Sequence, residues 1–293
     1  MKKNLLTILA SLSIIVVMSG FFPSAKKVSD ADSQVKSHIY FHSAADCPST
    51  PVTDTTLRII HVYVSLADND SQGIIPLPRK MGNGNDAANN LFWGGKYGVK
   101  TFFNQSDDWE LLDSAKNISG DVLQRCVWKH RRFNCYMVAD AYKGARIRTC
   151  TMNFLLNASG HPSDTAYAHK NGKSKMLLME AAALICYVGH DGFMDFEIPN
   201  PPPQNSADRK DVFILASASR LYFKDAVLTA GAVPVLWTSN LITPEAYSLK
   251  AGIDGWLYHE TGGEIAVRAA KAYDAYQQCG YETALQLFVT GYY

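Results

Sequence analysis

Five short apolar runs rich in β-branched residues recur along the chain: Leu57 to Leu66, Asn134 to Ala139, Ala182 to Gly189, Asp211 to Ala216 and Val233 to Thr238. Each is apolar at successive rather than alternate positions, which predicts strands buried on both faces, as in a mostly parallel sheet covered by helices. Between them the period lengthens. Ile147, Cys150, Phe154 and Leu155 stand at i, i+3, i+7 and i+8, which predicts a helix from Ala145 to Ala158 that closes near Gly160. A second helix is expected to open at Thr243-Pro244-Glu245, with Thr243 as cap and Pro244 in the first turn. A third runs from Glu264 to Gln278, with Gly280 as its left-handed stop. The fold class that follows is α/β, a mostly parallel sheet with helices on both faces.

The first residues follow a different pattern. Met1-Lys2-Lys3, an apolar stretch from Leu5 to about Met18, and small residues at Ser19, Gly20, Ser24 and Ala25 have the three-part shape of a secretory signal peptide. The competing expectation is an uncleaved anchor, since Leu5 to Phe22 just reaches a spanning length. Residues 26–56 are polar and broken by Pro48 and Pro51, and read as a tether. The expected organisation is thus a signal over 1–25, a tether over 26–56 and an α/β domain over 57–293. The expected location is secreted or periplasmic, with membrane contact only if the N-terminal segment stays uncleaved.

Composition narrows the field of partners. With 28 basic and 27 acidic residues the chain has no charge excess that would draw it to nucleic acid. The one basic concentration, Arg125, Lys129, His130, Arg131 and Arg132, is expected to form a solvated face. Six cysteines are too dilute for a disulfide scaffold, although one or two bridges fit an exported chain, and Cys135 and Cys186 sit inside expected strands as inert thiols. The eight histidines lack ligand spacing: His38 and His42 fall in the tether, and His161 and His169 flank an expected polar loop. No metal or cofactor is expected. Asp68 to Gly73 begins like a calcium loop, but its twelfth position is Arg79. Gly82-Asn83-Gly84-Asn85 lacks the Lys of a phosphate loop and reads as a turn.

In a parallel α/β sheet, chemistry belongs at the carboxyl ends of the strands. There the third run ends in Gly189-His190-Asp191-Gly192 and the fourth in Ala216-Ser217-Ala218-Ser219. If the two strands are neighbours, His190 supplies a base and Ser217 a hydroxyl nucleophile, with main-chain N–H groups at Gly192 and Ser217 for an oxyanion. The bland alternatives are a histidine satisfied by Asp191 or Asp195, and a serine that caps a helix over Arg220 to Val227. Ser217 lies in no Gly-x-Ser-x-Gly elbow.

An apolar block ending in His and Gly, followed by one ending in Ala and a nucleophile, resembles the caspase and legumain clan of cysteine peptidases. Pro234 to Asn240, followed by Pro244-Glu245-Ala246-Tyr247-Ser248, is similar to the strand and helix that wall the legumain-like substrate pocket. The resemblance covers roughly Leu57 to Leu257. It implies catalytic roles for His190 and for position 217, oxyanion binding at Gly192, pocket roles for Thr238, Ser239 and Asn240, and an orienting role for Asn69 or Asp70. Two departures stand out: Asp191 separates His190 from the glycine, and position 217 holds Ser, not Cys. The chain also resembles a set of exported bacterial proteins without an established activity, through Asn85 to Gly94 and Gly189 to Asp195. The expectation is a peptidase homologue, weak or inactive because Ser replaces the thiol. The alternatives are a non-catalytic envelope protein that holds a peptide or protein in the same cleft, and a structural protein with no functional cleft.

Overall fold

The computed structural model describes residues 56–292. The expected signal, tether and anchor therefore lie outside the described residues, apart from Thr56. In chain order the elements are β1 (Arg58–Ser65), α1 (Val99–Asn104), β2 (Trp109–Lys116), β3 (Val122–His130), β4 (Cys135–Tyr142), α2 (Ile147–Ala158), β5 (Thr165–Lys170), β6 (Lys173–Leu178) and β7 (Leu184–Val188). They continue with β8 (Asp211–Leu215), α3 (Ser219–Thr229), β9 (Val233–Thr238), α4 (Ala246–Leu257), α5 (Gly262–Gln277), α6 (Tyr281–Leu287) and β10 (Phe288–Val289).

Eight strands form one sheet in the order β10-β9-β8-β7-β1-β4-β3-β2. The five strands expected from the apolar runs are the parallel centre, β4-β1-β7-β8-β9. The edges are antiparallel: β3 and β2 extend the sheet beyond β4, and β10 pairs with β9. Every residue of β1 is buried, because helices cover both of its faces. Ile60, Val62 and Val64 face a core shared with Leu249, Ile253 and Leu257 of α4 and Ile265 and Ala269 of α5. Ile59 and Tyr63 point the other way, into a core with Phe154 and Leu155 of α2 and Phe223 of α3.

This α2 side contains charge as well as hydrocarbon. His61 Nε2 meets Asp140 Oδ2 at 2.9 Å, and Arg125 clamps the same carboxylate through Nε at 2.6 Å and Nη2 at 2.8 Å. Asn157 Nδ2 lies 2.9 Å from His61 Nδ1, so both ring nitrogens are engaged. Arg125 is thus buried, as is His130, and the expectation that 125–132 forms a solvated face fails for both. Only Arg131 and Arg132 of that group are exposed.

Other boundaries differ for local reasons. The fourth helix starts at Ala246 with Glu245 as an extended, uncapped N-cap, so Thr243 and Pro244 belong to the preceding turn. The fifth helix starts on a capping box, Thr261 with Glu264, two residues ahead of its expected first residue, and its left-handed terminus is Gln278 rather than Gly280. Gly280 instead introduces α6. The stretch between His161 and His169, expected as a polar loop, is in part strand, since β5 begins at Thr165. The cysteines among the described residues, Cys126, Cys135, Cys150, Cys186 and Cys279, are free thiols, so the expected bridges are not found there. Burial pushes the Cys135 thiol up to about 12 and the Cys186 thiol upward as well, which leaves both inert. No helix among the described residues is long and apolar enough to cross a membrane.

Candidate functional site

From β1 the chain crosses to β4 on one side and later returns to β7 on the other, so the strand order reverses between β1 and β7. A crevice opens at such a reversal, outside the carboxyl ends of the strands. Gly189 lies there with φ of +146°, and a Cβ on it would stand 2.6 Å from the Ser65 carbonyl oxygen at the end of β1. Both the conformation and the close approach require glycine. The next residue is His190.

His190 is buried, and its Nε2 lies 2.8 Å from Asp195 Oδ2. The same oxygen accepts the Gly73 N–H at 3.0 Å, which ties the loop after β1 to the loop after β7. The Tyr187 hydroxyl donates to the His190 carbonyl at 2.8 Å from within the core. His190 Nδ1 has no hydrogen-bond partner among the described residues. The ring is therefore held from one side by a carboxylate, with its second nitrogen unused.

Asp191 holds the turn that presents Asp195. Its Oδ1 accepts the Phe193 N–H at 2.9 Å and starts a short 3-10 turn, Gly192–Met194, whose C-terminal neighbour is Asp195. The Asp191 side chain is fully buried and its Oδ2 has no partner. Burial pushes this carboxyl up to about 7, the Phe193 N–H offsets part of that rise, and the charge on Asp195 adds to it.

Ser217 follows β8, the parallel neighbour of β7. Val188 pairs with Leu215, so His190 and Ser217 each stand two residues past the last paired position. The Ser217 Oγ accepts from Ile242 N at 3.3 Å and donates to Ile242 O at 3.4 Å, both long bonds, and makes none to His190. Ser217 does not cap α3. The N-cap is Ala218, in the left-handed region at φ of +51° with no side-chain cap. A non-glycine residue there costs about 1–2 kcal/mol, which the fold accepts to turn the chain sharply from β8 into α3.

The remaining expected site residues divide. The Ser217 and Gly192 N–H groups donate to no acceptor among the described residues. Gly192 itself is buried, and a Cβ on it would stand 2.5 Å from the Phe196 ring and 3.1 Å from the Thr151 hydroxyl. Thr238 is also buried: its hydroxyl donates to Ala216 O and accepts from Ser219 N at 3.2 Å, stitching β9 to the end of β8 instead of lining a pocket. Ser239 bonds the Gln286 carbonyl. Asn240 is exposed, and its carbonyl accepts the Ala218 N–H at 2.9 Å beside Ser217.

Asn69 and Asp70 do not reach His190. The Asn69 amide closes its own loop on Leu77, at 2.8 and 2.9 Å, and the Asp70 N–H bonds Asp68. The carboxylate at His190 is Asp195, five residues along the same loop. Asp195 is one of the two carboxylates expected for a satisfied histidine, while the other, Asp191, accepts the Phe193 N–H instead. No group of side chains among the described residues is suited to hold a metal ion. Compared with protein-family models, curated proteins and solved structures, the chain matches none.

Proposed function

We propose that this chain is an exported homologue of the caspase/legumain-like peptidases that keeps a peptide-holding cleft and a positioned histidine but has lost most or all hydrolysis. The observation that carries this reading is the partner of Ser217. Its hydroxyl is bonded to the Ile242 main chain, while His190 stands at the matching position of the adjacent strand with Nδ1 unused. A thiol at 217 could ionise apart from its base and attack as thiolate. A serine hydroxyl needs the base in contact as the bond forms.

The steps available to such a site follow from these atoms. Ser217 Oγ would bond to the carbonyl carbon of the peptide as its proton passes to His190 Nδ1, and the carbonyl electron pair would move onto oxygen beside the Ser217 N–H. Collapse would break the C–N bond, and the amine would leave with the proton from Nδ1. Water would then release the acyl group by the same route. Asp195 would hold the ring throughout and stabilise its protonated form.

The same observation favours a second reading, a protein that captures peptide or protein segments without cleaving them. Peptide-library cleavage read by mass spectrometry separates the two, using wild type, Ser217→Cys, and Ser217→Cys combined with His190→Ala. Cleavage by the Cys variant that disappears in the double variant supports a peptidase site weakened at one atom. A folded Cys variant that cleaves nothing overturns it and leaves capture as the function.

A further inference from the structure

The β5–β6 hairpin stands over the outer strands of the main sheet, and between them runs a groove of about 520 Å³. Its walls carry four lysines, Lys129 from β3, Lys170 from β5, and Lys173 and Lys175 from β6, around the ring of Tyr136. Two ammonium groups converge on that ring: Lys129 Nζ at 5.2 Å from its centroid and Lys175 Nζ at 4.9 Å. Lys129 is anchored, since its ammonium donates to His130 O at 3.1 Å and to Phe133 O. Lys170 meets Glu110 Oε2 at 2.7 Å, and this carboxylate answers one of the four cations.

In a chain whose 28 basic and 27 acidic residues nearly cancel, this is a local excess. Like charges gathered in a groove repel one another and gain only modest attraction from an aromatic face. Burial holds the Lys129 ammonium below its ordinary range, and the charges on Lys175 and Lys170 act in the same direction. A multivalent anion would reverse the sign of these interactions, and its oxygens would take the rotatable N–H donors that lysine offers as a point charge. The groove has the size of a small-molecule site.

We propose that this groove binds a phosphate-bearing multivalent anion between Lys129, Lys173 and Lys175 across the face of Tyr136. The site is independent of His190 and Ser217.

Titration calorimetry of the full chain with sodium tripolyphosphate, at low salt and at about 0.15 M NaCl, tests it. The variants are Lys173→Gln/Lys175→Gln, both exposed, and Lys80→Gln as a remote exposed control. Saturable binding that weakens at least about 10-fold in the double variant and is unchanged in K80Q is expected. No binding at low salt, or equal weakening in K80Q, overturns the proposal. Sedimentation with phosphatidylcholine vesicles containing phosphatidic acid then gives the source. Pelleting that the double variant loses supports a lipid headgroup, and tripolyphosphate binding without pelleting supports a free phosphate compound.

Discussion

Asp195 Oδ2 stands 2.8 Å from His190 Nε2 and 3.0 Å from the Gly73 nitrogen, so one oxygen joins the loop after β7 to the loop after β1. Asp195→Ala removes this acceptor. Hydrogen exchange at the Gly73 N–H should accelerate by about 10-fold or more, with a loss of about 1–2 kcal/mol in stability. Unchanged Gly73 protection would mean that the bond does not hold the loop.

Asp191 imposes a pH dependence. Its carboxyl, raised to about 7, keeps its proton more tightly in the folded chain than in the unfolded one, where an ordinary aspartate applies. Its contribution to stability is therefore full below about pH 4, declines as pH rises toward 7, and stays lost above. Asp191→Asn keeps an oxygen for the Phe193 N–H and cannot ionise. Its stability advantage over wild type should widen from pH 5 to pH 8, toward a limit of about 4 kcal/mol. Urea unfolding at the two pH values reads the difference, and a constant gap would count against a buried, strained carboxyl.

His130 acts in the opposite sense. Burial holds its imidazole down at about 4, Asp108 opposes that shift, and Arg132, Lys129 and Lys250 add to it. Its Nδ1 accepts from Arg132 N and Phe133 N, both at 3.1 Å, and so the folded state needs the neutral ring. This contribution is complete above the unfolded value near 6.5 and is lost as pH falls toward 4, by about 3 kcal/mol. His130→Gln should flatten that stretch of the stability curve at a cost in packing at pH 7. An unaltered slope between pH 6.5 and 4.5 would show that other groups cause it.

Asp140 stays ionised in the core because bonds from His61 and Arg125 outweigh its burial and hold its carboxyl below the usual range. Arg125→Met leaves that charge with His61 alone, and should cost about 3–5 kcal/mol. Arg125→Met combined with Asp140→Asn should recover part of the loss. If the double variant is as unstable as the sum of the singles, the two residues are not coupled.

The central strands were legible because burial on both faces writes itself as continuous hydrocarbon, and β9 matches its expected span, Val233–Thr238, at both ends. The antiparallel edges were not, since β2, with Leu111 and Leu112 adjacent and then Asp113 and Ser114 adjacent at a register shift, shows neither a continuous apolar run nor a strict alternation. One missed element had a clear signal. Asn171-Gly172 between two short runs is a two-residue hairpin loop, and both residues have positive φ.

Sequence alone determined that His190 and Ser217 follow apolar strands, because that is a property of neighbours in the chain. Only the tertiary structure decided that the strands are adjacent and in matching register, that Asp195 rather than Asn69 or Asp70 meets the imidazole, and that Ile242 takes the serine hydroxyl. It also sent Arg125 inward to Asp140 and left Lys129 beside the hairpin lysines. Hydrophobic periodicity reports which face of an element is buried. The partner of a polar side chain depends on which segments the fold places within about 3 Å of it, and no local pattern encodes that distance.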